Sequence, residues 1–402
     1  MNDPRVVHSL DDVVEHGSVA ICCGSGGVGK TTTAAVLAVQ SARRGRRAVV
    51  VTIDPAKRLA NALGLDELSN EPHQIDPARW DPKGERVEGG RLSAMMLDTK
   101  STFDDLVTRY AATPEQAQRI LENSFYRNLA SALSGTQEYM AMEKLHELHE
   151  EGDFDLIVVD TPPSRHALDF LDAPKRLLRL LDNRVFRLLM VPTRTYLRVA
   201  GAAVQMFLHT ISRVVGTEVV DDIVAFFRSF EGMEEGFRER AHRVVEVLAQ
   251  PETRFVLVTS PRRDAVEEAR FFAAKIGDHD LAVDALIVNR VHPRFGTELS
   301  AGLRSRADSL RELKVSGREA TAARDRLSAC YANLADFNEI AERERAHIET
   351  VRVRTGAAPV SFVPYLAHDV HDFEALAEVG RILFPDLPDR AGSEPTGAGP
   401  GQ

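Results

Sequence analysis

"SVAICCGSGGVGKTTTAAVLAVQSARRG", residues 18–45, is the stretch on which the fold turns. Its opening apolar run, up to Gly24, suits a strand buried on both faces. Residues 24–31 then fit G-x-x-x-x-G-K-[ST], the phosphate-binding loop. Glycines there admit positive φ and let backbone N–H groups close on phosphate oxygens. From Lys30 to Arg44 small and apolar residues follow one another at helical density, and Gly45 supplies a stop. Strand, glycine loop and helix in that order separate a phosphate loop from a chance glycine-rich turn. At such a loop, Lys30 is expected to reach the β- and γ-phosphates of a nucleotide, and the Thr31 hydroxyl to ligate Mg²⁺.

Outward from the loop, further strand candidates recur at 47–53, 91–98, 154–160, 254–260, 281–289 and 358–364. Several are near-continuous apolar runs, as strands buried in a parallel sheet require. Helical patterns lie between them. The expected fold is α/β, a doubly wound, mostly parallel sheet of about seven strands with large helical insertions. The insertions fall at about 101–150, 173–250 and 300–355, the last a charge-dense helical pair. Residues 1–387 are expected to form a single P-loop ATPase domain, and the tail 388–402 to be disordered for lack of apolar residues.

Composition removes several function classes. The net charge of −10 disfavours nucleic acid as a partner. No basic start followed by an apolar core reads as a secretion signal, and the apolar stretch around 199–215 is interrupted by His209 and Arg213. A cytoplasmic protein is expected, with peripheral membrane association as a variant. The three cysteines, Cys22, Cys23 and Cys330, have no C-x-x-C spacing, so no zinc site is expected. Cys22 and Cys23, adjacent on one strand, should point to opposite faces.

Three more motifs sit where strands should end, the ligand edge of such sheets. Asp54 follows the second strand in "DPAKRLANALG". Asp160 ends another in "DTPPSRHALDFLD", the position of a carboxylate that supports Mg²⁺ through water. Asn289 ends a later strand in "VNR", where an amide can read an adenine edge.

With "GSGGVGKTT" and "FVPYL", these motifs make the chain resemble the ArsA-type ATPases, a deviant Walker-A class that includes arsenite-pump ATPases and the ATPases that target tail-anchored membrane proteins. The likeness covers roughly residues 18–65, 91–175 and 254–364. It implies an ATP-hydrolysing dimeric switch that couples nucleotide state to a helical client- or membrane-facing region. Residue by residue, it implies that Gly26, Gly27, Val28, Gly29, Lys30, Thr31 and Thr32 bind phosphates, with Thr32 on the α-phosphate. Thr31 and Asp160 serve Mg²⁺. Asp54 orients or deprotonates the attacking water, His166 belongs to the mobile segment after Asp160, and Asn289 and Pro364 hold the base.

Ser25 departs from the family's usual G-K-G-G-V-G-K, whose first Lys crosses a dimer interface to the partner's nucleotide. A serine hydroxyl carries no charge for that task. Lys57, Arg58 and Arg165 are further departures that place cations near the expected γ-phosphate. The preferred expectation is a heterodimer with a paralogue bearing the Lys, with a slow homodimer as the alternative. The insertion 173–250, with Leu, Met and Phe at helical spacing interleaved with Lys and Arg between 175 and 198, is the expected contact for a hydrophobic client helix or a membrane surface, and 185–215 is the part whose deletion should abolish that contact. Three other functions fit this fold less well. An arsenite or anion pump subunit needs a thiolate cluster that these cysteines do not form. A MinD/ParA-like positioning ATPase usually carries the intermolecular Lys. A small-molecule ligase on the same fold is the third.

Overall fold

The computed structural model describes residues 7–53, 58–65, 67–84, 86–127, 136–162, 169–182, 217–230 and 232–385. Eight strands form one sheet: β1 (Val19–Cys23), β2 (Arg47–Thr52), β3 (His73–Gln74), β4 (Arg91–Met96), β5 (Leu156–Asp160), β6 (Thr253–Thr259), β7 (Ala285–Val291) and β8 (Val360–Pro364). Their order across the sheet is β3-β4-β2-β5-β1-β6-β7-β8. All neighbours pair in parallel except β3, which runs antiparallel to β4. Seven strands match the apolar runs of the sequence. The eighth, β3, is a two-residue exposed edge pairing that leaves no hydrophobic pattern to detect.

The helices are α1 (Leu10–His16), α2 (Lys30–Arg43), α3 (Arg58–Ala62), α4 (Pro77–Trp80), α5 (Thr99–Tyr110), α6 (Pro114–Leu121) and α7 (Thr136–Glu151). After β5 come α8 (Asp169–Asp182), α9 (Thr217–Ser229), α10 (Glu234–Ala249) and α11 (Arg263–Gly277). The chain then forms α12 (Ser300–Glu312), α13 (Arg318–Thr355) and α14 (Phe373–Leu383).

Strand alternation splits the interior into two cores. Ala20 and Cys22 of β1 face α2 and α14, packed with Val36, Leu37, Leu376 and Val379. Val19, Ile21 and Cys23 face the opposite side, against residues of α7, α10, α11 and the end of α13. Cys22 and Cys23 therefore do point to opposite faces. Four alanines on α2 let that helix lie close between the sheet and α14, so it is buried along nearly its whole length.

A third core has no strands. Leu106 and Val107 of α5, Ile120 of α6, Met140 of α7, Phe226 of α9 and Phe237 of α10 gather around Tyr126 and Phe230. Phe230 and Phe237 rings lie 5.0 Å apart and Phe226 and Phe230 rings 5.6 Å. The first two helical insertions thus meet in one aromatic-lined assembly, which their separate periodicities did not reveal. The 300–355 region is the helical pair expected, α12 against α13, pinned where Ser328 Oγ donates to Ala307 O at 2.8 Å. The segment 185–215 and the tail 388–402 lie outside the described residues. Among the described residues no helix is long and apolar enough to cross a membrane.

The topology positions the site. From β1 the chain steps outward to β2 and β4, returns through β5, and crosses β1 to reach β6. The crevice outside the C-terminal ends of β1, β5 and β2 is therefore the switch point at which such sheets bind ligands.

Candidate phosphate-binding site

Gly24 ends β1 so close to its neighbour that a Cβ would lie 2.0 Å from Val258 O, so only glycine lets the loop leave the sheet here. Gly29 caps α2 at φ +99°, and a Cβ there would meet Asn289 Nδ2 at 2.2 Å. These two positions fix how the loop enters and leaves its turn. The next residues, Lys30 and Thr31, open a 14-residue helix whose first N–H groups and dipole favour an anion.

Lys30 is 5% exposed, and its Nζ donates to Ser25 O at 2.8 Å. The Thr31 hydroxyl donates to Asp160 Oδ2 at 2.7 Å, and the Thr52 hydroxyl donates to the same oxygen at 3.1 Å. Strand register explains this meeting: Asp160 pairs with Cys22 on one side and Thr52 on the other. Next to it, the Thr161 hydroxyl donates to Cys22 O at 2.8 Å, tying the start of the segment after β5 to β1. Burial, with the nearby Asp160 charge adding to it, pushes the Cys22 thiol well up; burial, offset in part by the Lys30 charge, takes Cys23 to about 12. Both thiols are therefore neutral at ordinary pH.

Asn289 lies within β7, two residues before its end at Val291 rather than at the end itself, and its amide engages the loop. Nδ2 donates to Val28 O at 2.9 Å, and Oδ1 accepts the Arg290 N–H at 2.9 Å. Pro364 ends β8 opposite Val291, and the following Tyr365 N–H donates to Val291 O at 3.1 Å. Ser25 is buried, and its hydroxyl has no hydrogen-bond partner among the described residues. Asp54, Lys57, Arg165 and His166 lie outside the described residues, as does the side chain of Arg58. The preceding residue, Ile53, donates its N–H to Asp160 O at 3.1 Å, so the chain enters the Asp54 segment from beside Asp160.

Two clefts flank the loop. One, of about 620 Å³, is lined by Lys30, Thr31, Thr32, Asn61 and Arg290. The other, of about 310 Å³, is lined by Ser25, Gly26, Arg262, Arg290, Glu344 and Tyr365. Arg290 borders both, and sequence reasoning missed it. Its only signal is adjacency to Asn289.

The family model for anion-transporting ATPases matches residues 18–307. The ATPase GET3 of Malassezia globosa is 30% identical over 178 residues, covering 44% of this chain and 48% of its own length. The ATPase ASNA1 homolog 1 of Paramecium tetraurelia is 33% identical over 185 residues, 45% of this chain and 51% of its own. A longer match, 24% identical over 384 residues, covers 92% of this chain and 79% of the Aquifex aeolicus protein named "Putative arsenical pump-driving ATPase 1". The chain thus spans about half the length of the first two relatives and about four-fifths of the third. The loop, the Asp160 strand and the Asn289 strand all fall inside the matched region, and the chain belongs to the anion-transporting ATPase family.

Proposed function

We propose that this chain binds ATP at residues 24–32 and hydrolyses its terminal phosphate as one half of a nucleotide-dependent dimer. The observation that carries the reading is the contact of Thr31 with Asp160 beside a buried Lys30. A hydroxyl, a carboxylate and an ammonium converge at a helix N-terminus, and that is the equipment phosphoryl transfer uses.

The donor chemistry fits Mg²⁺, because Thr31 and Asp160 offer hard oxygens. Thr31 would hold the ion directly and Asp160 through water; bound there, Mg²⁺ offsets the charge of the phosphate oxygens. The chain's own groups do the remaining work. Loop N–H groups from Gly26 to Thr32 bind phosphate. Lys30 trades the Ser25 carbonyl for an anionic oxygen, a stronger, charge-assisted contact. Asp54 orients the attacking water and accepts its proton, while Asn289 and Pro364 flank the base. Residues 161–168 join β5 to α8, so this segment is the direct path from the site to the helical assembly of α5–α10. The segment 185–215, which follows α8, is the part that would meet a hydrophobic client helix or a membrane surface. A metalloid-binding role is less well supported, because the Cys22 and Cys23 thiols are buried, neutral and on opposite faces.

The test is Mg²⁺-dependent ATP hydrolysis by the purified chain and two variants. Lys30→Ala should lose nucleotide affinity. Asp54→Asn should keep binding and lose turnover, because a water-orienting group acts mainly in the transition state. Equal rates for the wild type and Asp54→Asn would overturn the assignment.

A further inference from the structure

Arg290 is a cation at the loop that the reading above leaves without a role. It follows Asn289 where the β7–β8 register slips between Asn289 and Val291. Its φ is +61°, a left-handed backbone that a residue with a Cβ enters at a cost. The Asn289 side chain secures that conformation, accepting the Arg290 N–H while donating to Val28 O. The bulge takes Arg290 out of regular pairing, and its guanidinium lies on the phosphate loop, where Nη1 donates to Gly27 O at 3.1 Å. Arg290 is exposed, and among the described residues it makes no ion pair. Arg262, which borders one of the same clefts, is instead held by Asp264 at 2.7 Å.

We propose that Arg290 supplies, within its own chain, the cation that position 25 does not, its guanidinium leaving Gly27 O for phosphate oxygens of a nucleotide bound at the same loop. The inference rests on the nucleotide-binding reading of that loop. A carbonyl is a neutral acceptor that engages one N–H of the guanidinium. A phosphate is anionic and takes a bidentate fork, a contact about twice as strong. Arg290 borders both the cleft with Lys30 and Thr31 and the cleft with Ser25, so its reach covers the loop from either side. A strained backbone persists where the surrounding contacts hold it, and here they hold a guanidinium over glycines. The terminal phosphate is the charge that distinguishes ATP from ADP, so Arg290 acts chiefly on the triphosphate.

The experiment is displacement of a fluorescent ADP by ADP and by ATPγS from wild type, Arg290→Gln, Arg290→Lys and Lys30→Ala. Arg290→Gln should bind ADP within about threefold of wild type and ATPγS about 10–100-fold more weakly, the range for one lost charge-assisted contact. Arg290→Lys, which keeps the charge without the fork, should fall between, and unchanged melting curves show that the fold is intact. Equal loss for both nucleotides, or no loss for either, overturns the proposal. Wild-type affinity in Lys30→Ala would instead overturn the nucleotide reading of the loop. A 1:1 mixture of Arg290→Gln and Lys30→Ala tests the direction of supply. Hydrolysis no greater than the sum of the two alone supports action within one chain. Hydrolysis well above that sum places the guanidinium on the partner's nucleotide and overturns the assignment.

Discussion

The loop edge and the helical flank both bury charged side chains, and they treat them differently. At the loop edge, Asp160 is 1% exposed and receives hydroxyl hydrogen bonds from Thr31 and Thr52, and the Lys30 ammonium is held by a loop carbonyl. In the helical flank, Glu143 of α7 pairs with Arg240 of α10, yet Glu143 Oε2 and Arg240 Nη2 are buried without hydrogen-bond partners among the described residues. Both ring nitrogens of His146 and the Tyr139 hydroxyl are in the same condition nearby. The loop edge holds its charges by contacts that an anion and a cation can replace. The flank's charges are locked into packing, where losing one partner strands the other. Substitutions at the first region should therefore cost function, and at the second stability.

The largest effect is expected from Asp160→Asn. The amide keeps the shape but loses the charge that would support Mg²⁺, so hydrolysis should fall by about 10²–10³, the scale for removing one electrostatic group from such a site. Stability should change by less than about 2 kcal/mol, as judged by urea unfolding. A severe loss of stability with hydrolysis preserved per folded molecule would erase the distinction between the regions.

Glu143→Ala is the converse. Stranding the Arg240 guanidinium, itself 9% exposed, should cost about 3–5 kcal/mol. The double variant Glu143→Leu with Arg240→Met should return most of it, because an apolar pair of similar volume carries no desolvation cost. Hydrolysis per folded molecule should stay at the wild-type level in both. Chemical denaturation of the two variants checks the sign and the recovery.

A smaller effect comes from His146. Burial pulls its pKa down, with Arg243, His149 and Arg109 acting in the same direction and Glu150 against them. The folded form therefore keeps His146 neutral, whereas the unfolded chain protonates it near its ordinary value of about 6.5. Stability from this group is present above that pH and is lost as pH falls below it, with a slope of at most about 1.4 kcal/mol per pH unit. The loss stops once pH passes the lower, folded-state pKa. His146→Leu should flatten the part of the stability curve below about pH 6.5 while leaving the alkaline side unchanged.

These regions also differ in how far the sequence disclosed them. The strands of the loop edge are apolar runs buried on both faces, so β1, β2, β5 and β6 were legible, and Asp160 ends β5 as its motif implied. The 281–289 run promised a strand from its first residue, but β7 begins at Ala285. Asp284 just before it is turned to another task, its Oδ2 accepting the Phe255 N–H at 2.8 Å. Arg290 was not legible, because its position depends on a register slip between β7 and β8, elements separated by the whole α12–α13 pair. The flank was legible only as helices. Periodicity shows that α5, α7, α9 and α10 each have an apolar face, but not that those faces meet in one core.

Ser25→Lys is expected to have the smallest effect, and it bears on which chain supplies the cation at the loop edge. The Ser25 hydroxyl is buried without a partner among the described residues and borders the cleft that Arg290 also lines. If position 25 leaves each nucleotide short of one cation, a lysine there should raise hydrolysis by the isolated chain steeply. An arginine-finger contribution of that kind can reach about 10³–10⁵ in rate. If Arg290 already supplies the charge, a second cation enters a site whose phosphate charge is met, and the gain should stay below about tenfold. Ser25→Lys in the Arg290→Gln background separates the cases further. A lysine that restores the variant toward wild type while doing little to wild type itself shows that the two positions serve the same charge. A large gain in the wild-type background, matched by adding a paralogue that carries the usual G-K-G-G-V-G-K loop, would move the missing cation to the partner chain and restore the heterodimer expected from position 25.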